Sequence, residues 1–321
     1  MIMSIKKLLP IIGIIILLYI LSTMNIGKII SIFSKLNPWY VTASFCSILP
    51  IVLIANYQWQ FILKKHKIQV SFWYSLKNIF IGFFYGFITP GGLGGYTRAI
   101  YLKKESGETL QKCFVNILIL NTIDYLTLLS IGVIGGFVLS SKFPNIFPFI
   151  LILFIIMISL AVFFIHKETG AQFFKKLLQS KLFNPFKEKW TAHIDTIYKD
   201  IPTFSDLLIP FSISILSWLL YLSEFYIISK LFAIDVPYIY FILIVAVANI
   251  IASLPITIYG LGTREIVLIG LLSGFAVAPE SIVSLSLFWF VLVWLFPSII
   301  GAGVTMIENR RIDRSDSKTM V

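Results

Sequence analysis

Six stretches of this chain are apolar for long enough to cross the hydrocarbon layer of a bilayer, which takes about 20 residues of helix. They run approximately from Leu8 to Asn25, Trp39 to Leu63, Cys113 to Leu139, Phe147 to Ile165, Leu207 to Leu231 and Ile282 to Ile307. A chain so built has lipid as its main solvent. Hydrophobic residues make up 58% of the 321 positions and charged residues 13%, against about 25% charged in an ordinary soluble domain. A soluble globular fold is excluded, and the expected class is an all-α polytopic membrane protein forming a single integral domain over 1–321.

The net charge of +11 would suggest nucleic acid in a soluble protein. Here the basic residues lie between apolar spans, where they set orientation instead, and no nucleic-acid partner is expected. Lys6-Lys7 and the run from Leu8 to Leu21 have the outline of a secretory signal. Ser22-Thr23-Met24-Asn25 offers no small-x-small cleavage site, so a retained first helix is expected. Cys46 and Cys113 are too far apart in sequence to suggest a CxxC site or a disulfide framework and read as packing residues. His66, His166 and His193 are scattered singly and read as interfacial, with no metal site at helical spacing. Trp39, Tyr40, Trp59 and Trp73 fall near span ends, where amphipathic rings favour the interface.

Two further apolar stretches are interrupted. Phe72 to Tyr101 contains Thr89-Pro90-Gly91-Gly92-Leu93-Gly94-Gly95, and Tyr238 to Ala278 contains Pro255-Ile256-Thr257-Ile258-Tyr259-Gly260-Leu261-Gly262. Proline removes a donor and glycine admits backbone conformations other residues avoid, so neither stretch is a plain span. If the six full spans cross and the two broken stretches return to their own side, 21 Lys and Arg residues lie inside and 4 outside, with Arg264 within the second break. This satisfies the positive-inside rule and places both termini in the cytoplasm. Eight crossings would also keep the Arg-rich tail inside, and charge counting leaves that alternative open.

In the hairpin topology the halves, about 1–140 and 141–308, enter the membrane from opposite sides as an inverted repeat. The segment 166–205 is a cytoplasmic basic loop and 309–321 a cytoplasmic tail. Within the loop, Phe173, Phe174, Leu177 and Leu178 alternate with Lys175, Lys176 and Lys181, a pattern that suits either an amphipathic helix on anionic lipid or a solvated connector. Inverted repeats place discontinuous helices and their binding site near the midplane.

The two breaks resemble each other. Pro90, Gly92, Gly94 and Arg98 in the first correspond to Pro255, Gly260, Gly262 and Arg264 in the second. Irregular backbone at membrane depth must face protein or a water-filled cavity. Half-helix N-termini beside Arg98 or Arg264 would suit an anionic group such as a phosphate. The plainer reading is that the glycines permit close packing and the arginines reach for the interface. Asp124 and Glu224 lie within spans, where a carboxylate is costly and pairs with something; Arg98 and Arg264 are the candidate partners. Asn249 and Glu265 flank the second break and could complete a polar lining.

Ser253-Leu254-Pro255 followed by Gly260-Leu261-Gly262-Thr263-Arg264-Glu265 resembles the signature of the lysylphosphatidylglycerol synthase transmembrane region family, also called flippase-like domain proteins. Thr89-Pro90-Gly91-Gly92-Leu93-Gly94-Gly95-Tyr96-Thr97-Arg98 is similar to that family's earlier Pro-Gly-Arg motif, although Gly95 stands where an acidic residue is expected in many members. The likeness covers about Leu8 to Glu308. It implies a lipid-translocating module, which in the multiple peptide resistance factors is fused to a cytoplasmic aminoacyl-tRNA-dependent synthase domain and which also accompanies some glycosyltransferases. Only the stretch 308–321 follows the last span, so the synthase chemistry is expected to be absent.

The leading expectation is therefore a flippase or scramblase-like transporter in the bacterial cytoplasmic (inner) membrane. It would move a phospholipid or polyprenyl-phosphate-linked lipid, with an anionic headgroup, between leaflets. Site residues are Arg98, Arg264, Glu265, Asp124, Glu224 and Asn249, with Pro90, Gly92, Gly94, Pro255, Gly260 and Gly262 as motif backbone. The alternatives are an accessory subunit for a separate synthase or glycosyltransferase, and a membrane-embedded lipid-modifying enzyme. No HExxH, GxSxG or GxxxxGK[ST] motif is present, so neither enzymatic chemistry, nor direct ATP coupling, nor a cofactor is expected.

Overall fold

A computed structural model describes residues 17–165, 170–173, 176, 201–254, 257 and 259–319. Among these the regular structure is helical, with no strand. The helices are α1 (Ile26–Ser34), α2 (Pro38–Lys65), α3 (Phe72–Phe87), α4 (Arg98–Ser106), α5 (Leu110–Leu139), α6 (Ile146–Ile165), α7 (Phe204–Ser229), α8 (Tyr238–Ala252), α9 (Thr263–Leu272), α10 (Pro279–Phe290) and α11 (Phe296–Thr319). Among the described residues, five helical stretches are long and apolar enough to cross a membrane: Pro38–Lys65, Leu110–Leu139, Ile146–Phe163, Phe204–Phe232 and Pro279–Arg311. They coincide with five of the six expected spans. The first half of the remaining one, from Leu8 to residue 16, lies outside the described residues, and the chain is helical over 17–22.

Local chemistry sets several boundaries. Asn25 caps α1 by accepting from the Lys28 amide at 3.1 Å, and Thr109 caps α5 by accepting from the Lys112 amide at 3.3 Å. Pro50 and Pro210 lie inside α2 and α7, a placement that membrane helices tolerate because neighbours satisfy the backbone groups.

The chain divides into two compact units. The first takes Met1–Leu53, Leu76–Arg98 and Leu219–Val321. Its centre is α8, whose residues from Phe241 to Ala248 are all buried. The C-terminal half of α3 meets α11 at close range. Ser298 donates to the Phe83 carbonyl at 3.0 Å, and a methyl group at Gly301 would collide with the Phe80 carbonyl. This is the small-residue packing through which membrane helices approach closely. A π-helical turn, Val291–Leu295, joins α10 to α11.

The second unit takes Ile54–Ser75 and Ala99–Trp218. Trp59 and His66, read from sequence as interfacial, are instead completely buried here. Asn116 explains both, since it accepts from Trp59 Nε1 at 2.9 Å and its amide lies 3.3 Å from His66 Nδ1. A buried ring with a polar handle needs such a partner. Trp39 and Trp73 are exposed as expected. Cys113 is buried and Cys46 exposed. The expected amphipathic pattern of the basic loop lies almost wholly outside the described residues.

Both interrupted stretches are helical hairpins. α8 and α9 have 15 and 10 residues and pack together. α3 and α4 have 16 and 9 residues. The Tyr74 hydroxyl donates to the Tyr101 carbonyl at 3.0 Å and Asn78 Nδ2 to the Arg98 carbonyl at 3.1 Å, a register that runs the two arms antiparallel. Each arm is shorter than the roughly 20 residues of a perpendicular crossing.

Candidate functional site

The second break turns on three residues with positive φ: Tyr259 at 47°, Gly260 at 77° and Gly262 at 87°. Glycine is required at the middle one for space as well as conformation, because a methyl group there would collide with Ala252 at the end of α8. Pro255 lies outside the described residues. α9 then opens with Thr263, Arg264 and Glu265. The Glu265 carboxylate folds back to accept from the Gly262 amide at 2.5 Å, which satisfies one of the unpaired donors at the helix start.

Arg264 and Glu265 are 1% and 0% exposed, with Arg264 Nη2 3.7 Å from Glu265 Oε1. Ser286 of α10 bridges them: its hydroxyl accepts from Arg264 Nε at 3.0 Å and donates to Glu265 Oε1. Arg264 Nη2 has no hydrogen-bond partner among the described residues. A guanidinium in the first turn of a helix meets the positive end of the helix dipole, an unfavourable placement of about 0.3–1 kcal/mol. Glu265 offsets that charge while leaving one face of the guanidinium without a hydrogen bond.

Helix α7 supplies the next layer. The Tyr221 hydroxyl accepts from Trp289 Nε1 at 2.9 Å, and Trp289 stacks on Phe225 at 4.3 Å and 11°. Tyr221 lies within electrostatic reach of both Arg264 and Glu224. Glu224 is buried and accepts a hydrogen bond from the Ser47 hydroxyl of α2. Its second oxygen has no hydrogen-bond partner among the described residues. Asn249, half-buried on α8, likewise has an unpartnered Nδ2.

The first break is built with different groups. Pro90 opens a 3-10 segment, Pro90–Thr97, after Thr89. The Thr89 hydroxyl accepts from the Gly94 amide at 2.6 Å and donates to the Tyr85 carbonyl at 2.9 Å. A methyl group at Gly94 would collide with that carbonyl. Arg98, half-buried, opens α4, and its side-chain stem lies against Gly82.

The two breaks meet at Tyr259. Its ring lies on Gly86 and Gly92 of the first hairpin, where a methyl group at Gly86 would collide with the Tyr259 hydroxyl. Gly92 has φ 69° and a methyl group there would stand 3.1 Å from Tyr259 Cε1. On its other side Tyr259 stacks on Trp294 of the π-helical turn at 3.8 Å and 16°. The glycines of one break thus make room for the aromatic ring of the other.

Of the residues expected from sequence, the structure joins Arg264 to Glu265 and places Glu224 near them through Tyr221. Arg98 belongs to the other break. Asp124 belongs to the second unit, where it accepts from Gln58 Nε2 at 2.9 Å and from Ser214 Oγ at 2.8 Å. Ser47, Ser286 and Tyr259 were not singled out. The first two are small hydroxyl residues in apolar helices with no distinguishing pattern. Tyr259 is the one aromatic residue inside the second break, and that was the available signal.

An all-helical membrane protein with two interrupted hairpins that turn on glycine, the second of them carrying a buried arginine, is the class this fold and site define. Comparison with known sequences makes it specific. The chain belongs to the Lysylphosphatidylglycerol synthase TM region family, which it matches over residues 8–301. It is similar to a UPF0104 membrane protein of Methanocaldococcus jannaschii, with 25% identity over 98% of each chain. A UPF0104 membrane protein of Pyrococcus horikoshii is 23% identical over 97% of this chain and 99% of its own. One of Methanothermobacter thermautotrophicus is 22% identical over 86% and 85%.

Proposed function

We propose that this protein moves a lipid with an anionic headgroup, a phospholipid or a polyprenyl-phosphate-linked lipid, between the leaflets of the cytoplasmic membrane. It does so with both termini in the cytoplasm and without covalent chemistry of its own. The observation that carries the reading is Arg264: a fully buried guanidinium at the start of a broken helix, with one nitrogen that makes no hydrogen bond among the described residues. Burying a charge at membrane depth is expensive, and such residues usually mark a substrate path. A phosphate oxygen would complete the guanidinium's donor set and favour the positive end of α9.

In this mechanism Arg264 holds the headgroup, Glu265 fixes the guanidinium in place, and the acyl chains stay in lipid. Arg98 provides the corresponding cation in the other hairpin, and access alternates between the two half-repeats. Tyr259, seated on the first break's glycines, is the contact through which movement of one hairpin reaches the other.

The test is purified protein in liposomes carrying a labelled phosphatidylglycerol in one leaflet. The expected result is exchange between leaflets that Arg264→Ala abolishes and Arg264→Lys only partly restores, since an ammonium lacks the bidentate fork. Unchanged exchange in Arg264→Ala removes the site. Failure of the wild-type protein to exchange any lipid, together with co-purification of a synthase or glycosyltransferase, assigns it instead as a membrane subunit of that enzyme.

A further inference from the structure

Glu224 stands about two turns inside the Phe232 end of the membrane-crossing stretch Phe204–Phe232. It is 8% exposed, and among the described residues a single donor reaches it, the Ser47 hydroxyl of α2. That hydroxyl has a second acceptor within reach, the Ser44 carbonyl of its own helix, at 2.9 Å. Serine carries one hydroxyl hydrogen and can serve only one of the two acceptors. A proton on Glu224 resolves the conflict: the carboxyl O–H donates to Ser47 Oγ, and the serine hydrogen goes to the Ser44 carbonyl. The oxygen left without a hydrogen bond, Oε2, is then that of a neutral carbonyl and not of an anion, which is far less costly to bury.

Among the described residues no neighbouring cation offsets an ionised Glu224. Three helices of the same compact unit pack on this part of α7: α2 through Ser47, and α8 and α10 through Phe241 and Trp289, which both contact Phe225. The portion of α2 in that unit carries Tyr40 and Cys46, both exposed. Helix α8 carries Tyr238, hydrogen-bonded to Ser223, and the exposed Tyr240. Helix α10 carries Glu280, which faces Lys28 at 3.6 Å. Beyond the end of α7, Lys230 lies over the Tyr226 ring and pairs with Asp235. Tyr221, one turn before Glu224, interacts electrostatically with it and also with Arg264. The charge of Arg264 is already matched by Glu265 at 3.7 Å. Glu224 therefore sets the sign of the whole group, which is net negative when Glu224 is ionised and neutral when it carries a proton.

We infer that Glu224 is a proton-binding site, and that its proton is taken up together with the anionic headgroup at Arg264. A phosphate approaching Arg264 is repelled by an ionised Glu224 beyond Tyr221, in an interior where charges are poorly screened. A proton drawn from the water onto the carboxylate removes that repulsion. By linkage the two ligands raise each other's affinity by the same factor. The coupling rests on the reading of Arg264 as the headgroup site, whereas the proton on Glu224 does not.

The test is infrared spectroscopy of the full chain in phosphatidylcholine liposomes, titrated from neutral to alkaline pH. The expected result is the carbonyl stretch of a protonated carboxylic acid that is kept in Asp124→Asn, lost in Glu224→Gln, and moved to higher frequency in Ser47→Ala, which deprives the carboxyl of its hydrogen bond. Adding phosphatidylglycerol should move the loss of this band upward by about one pH unit, a tenfold coupling. Arg264→Ala should retain only the smaller part of that displacement which arises from the negative membrane surface. A wild-type spectrum with no band that answers to Glu224→Gln or to Ser47→Ala overturns the inference, whatever lipid exchange shows. A band that ignores phosphatidylglycerol, in a protein whose lipid exchange still depends on Arg264, overturns the coupling and leaves the hairpin site intact. The same band in a protein that exchanges no lipid upholds the proton site and removes the hairpin reading, and the coupling with it.

Discussion

The two breaks follow one plan with different chemistry. In the first, a threonine hydroxyl accepts from a glycine amide, and the arginine that follows is half-buried. In the second, a glutamate carboxylate accepts from a glycine amide, and the arginine beside it is completely buried. The neutral latch sits next to an arginine that is only half-buried. A buried arginine needs a charge beside it, and Glu265 supplies one while Ala99 after Arg98 does not. The breaks have divided their labour: the second carries the buried charge, and the first, through Gly86 and Gly92, carries the clearance into which Tyr259 fits.

That division can be broken by substitution, beginning at the charge. Glu265→Ala leaves the Arg264 guanidinium buried without its carboxylate, which costs about 3–5 kcal/mol; thermal unfolding in detergent should show the largest fall of any substitution here. Ser286→Ala removes the bridge and should cost about 1.5–3 kcal/mol by the same measurement, while Ser284→Ala, whose hydroxyl returns to its own helix at Glu280, should cost less. An equal loss at both positions would mean that the bridge contributes nothing specific.

Clearance is tested at Gly86. Gly86→Ala forces the methyl group against the Tyr259 hydroxyl, an overpacking cost of about 1–3 kcal/mol, and Tyr259→Phe in the same chain should recover part of it. A double-mutant cycle with no coupling would separate the two hairpins. The smallest effect belongs to the neutral latch. Thr89→Val removes the hydroxyl that accepts from Gly94 and should cost about 1 kcal/mol, several-fold less than its counterpart Glu265→Ala. Comparable losses at Thr89 and Glu265 would erase the distinction drawn between the breaks.

The sequence located both breaks because proline and glycine act locally. Gly92, Gly260 and Gly262 do adopt positive φ, and a reader of the chain could place them. From sequence, Arg264 is partnered with Asp124 or Glu224 and Glu265 has only a place in the polar lining, whereas the structure sets Arg264 beside Glu265, its neighbour in the chain. Partners from distant helices were not legible either. Ser47 reaches Glu224 across 177 positions and Ser214 reaches Asp124 across 90, and nothing about a serine in an apolar run announces which carboxylate it will meet. Trp59 and His66 were misplaced because proximity to a span end says nothing about which side of the helix faces Asn116.

Helices α6 and α8 show where the boundary lies. Both are almost purely apolar, and their composition alone dictated that each would avoid water. Yet α8 is buried from Phe241 to Ala248, while Ile152, Ile155, Ile156 and Ile158 of α6 are exposed. In a bilayer, lipid and protein interior are equally apolar, so hydrophobicity drives a segment out of water but does not choose its neighbours. The chain's composition and its proline and glycine punctuation determined that this is a membrane protein with two interrupted hairpins. Close packing and hydrogen bonding between helices decided which helix became the core and which hydroxyl met which charge.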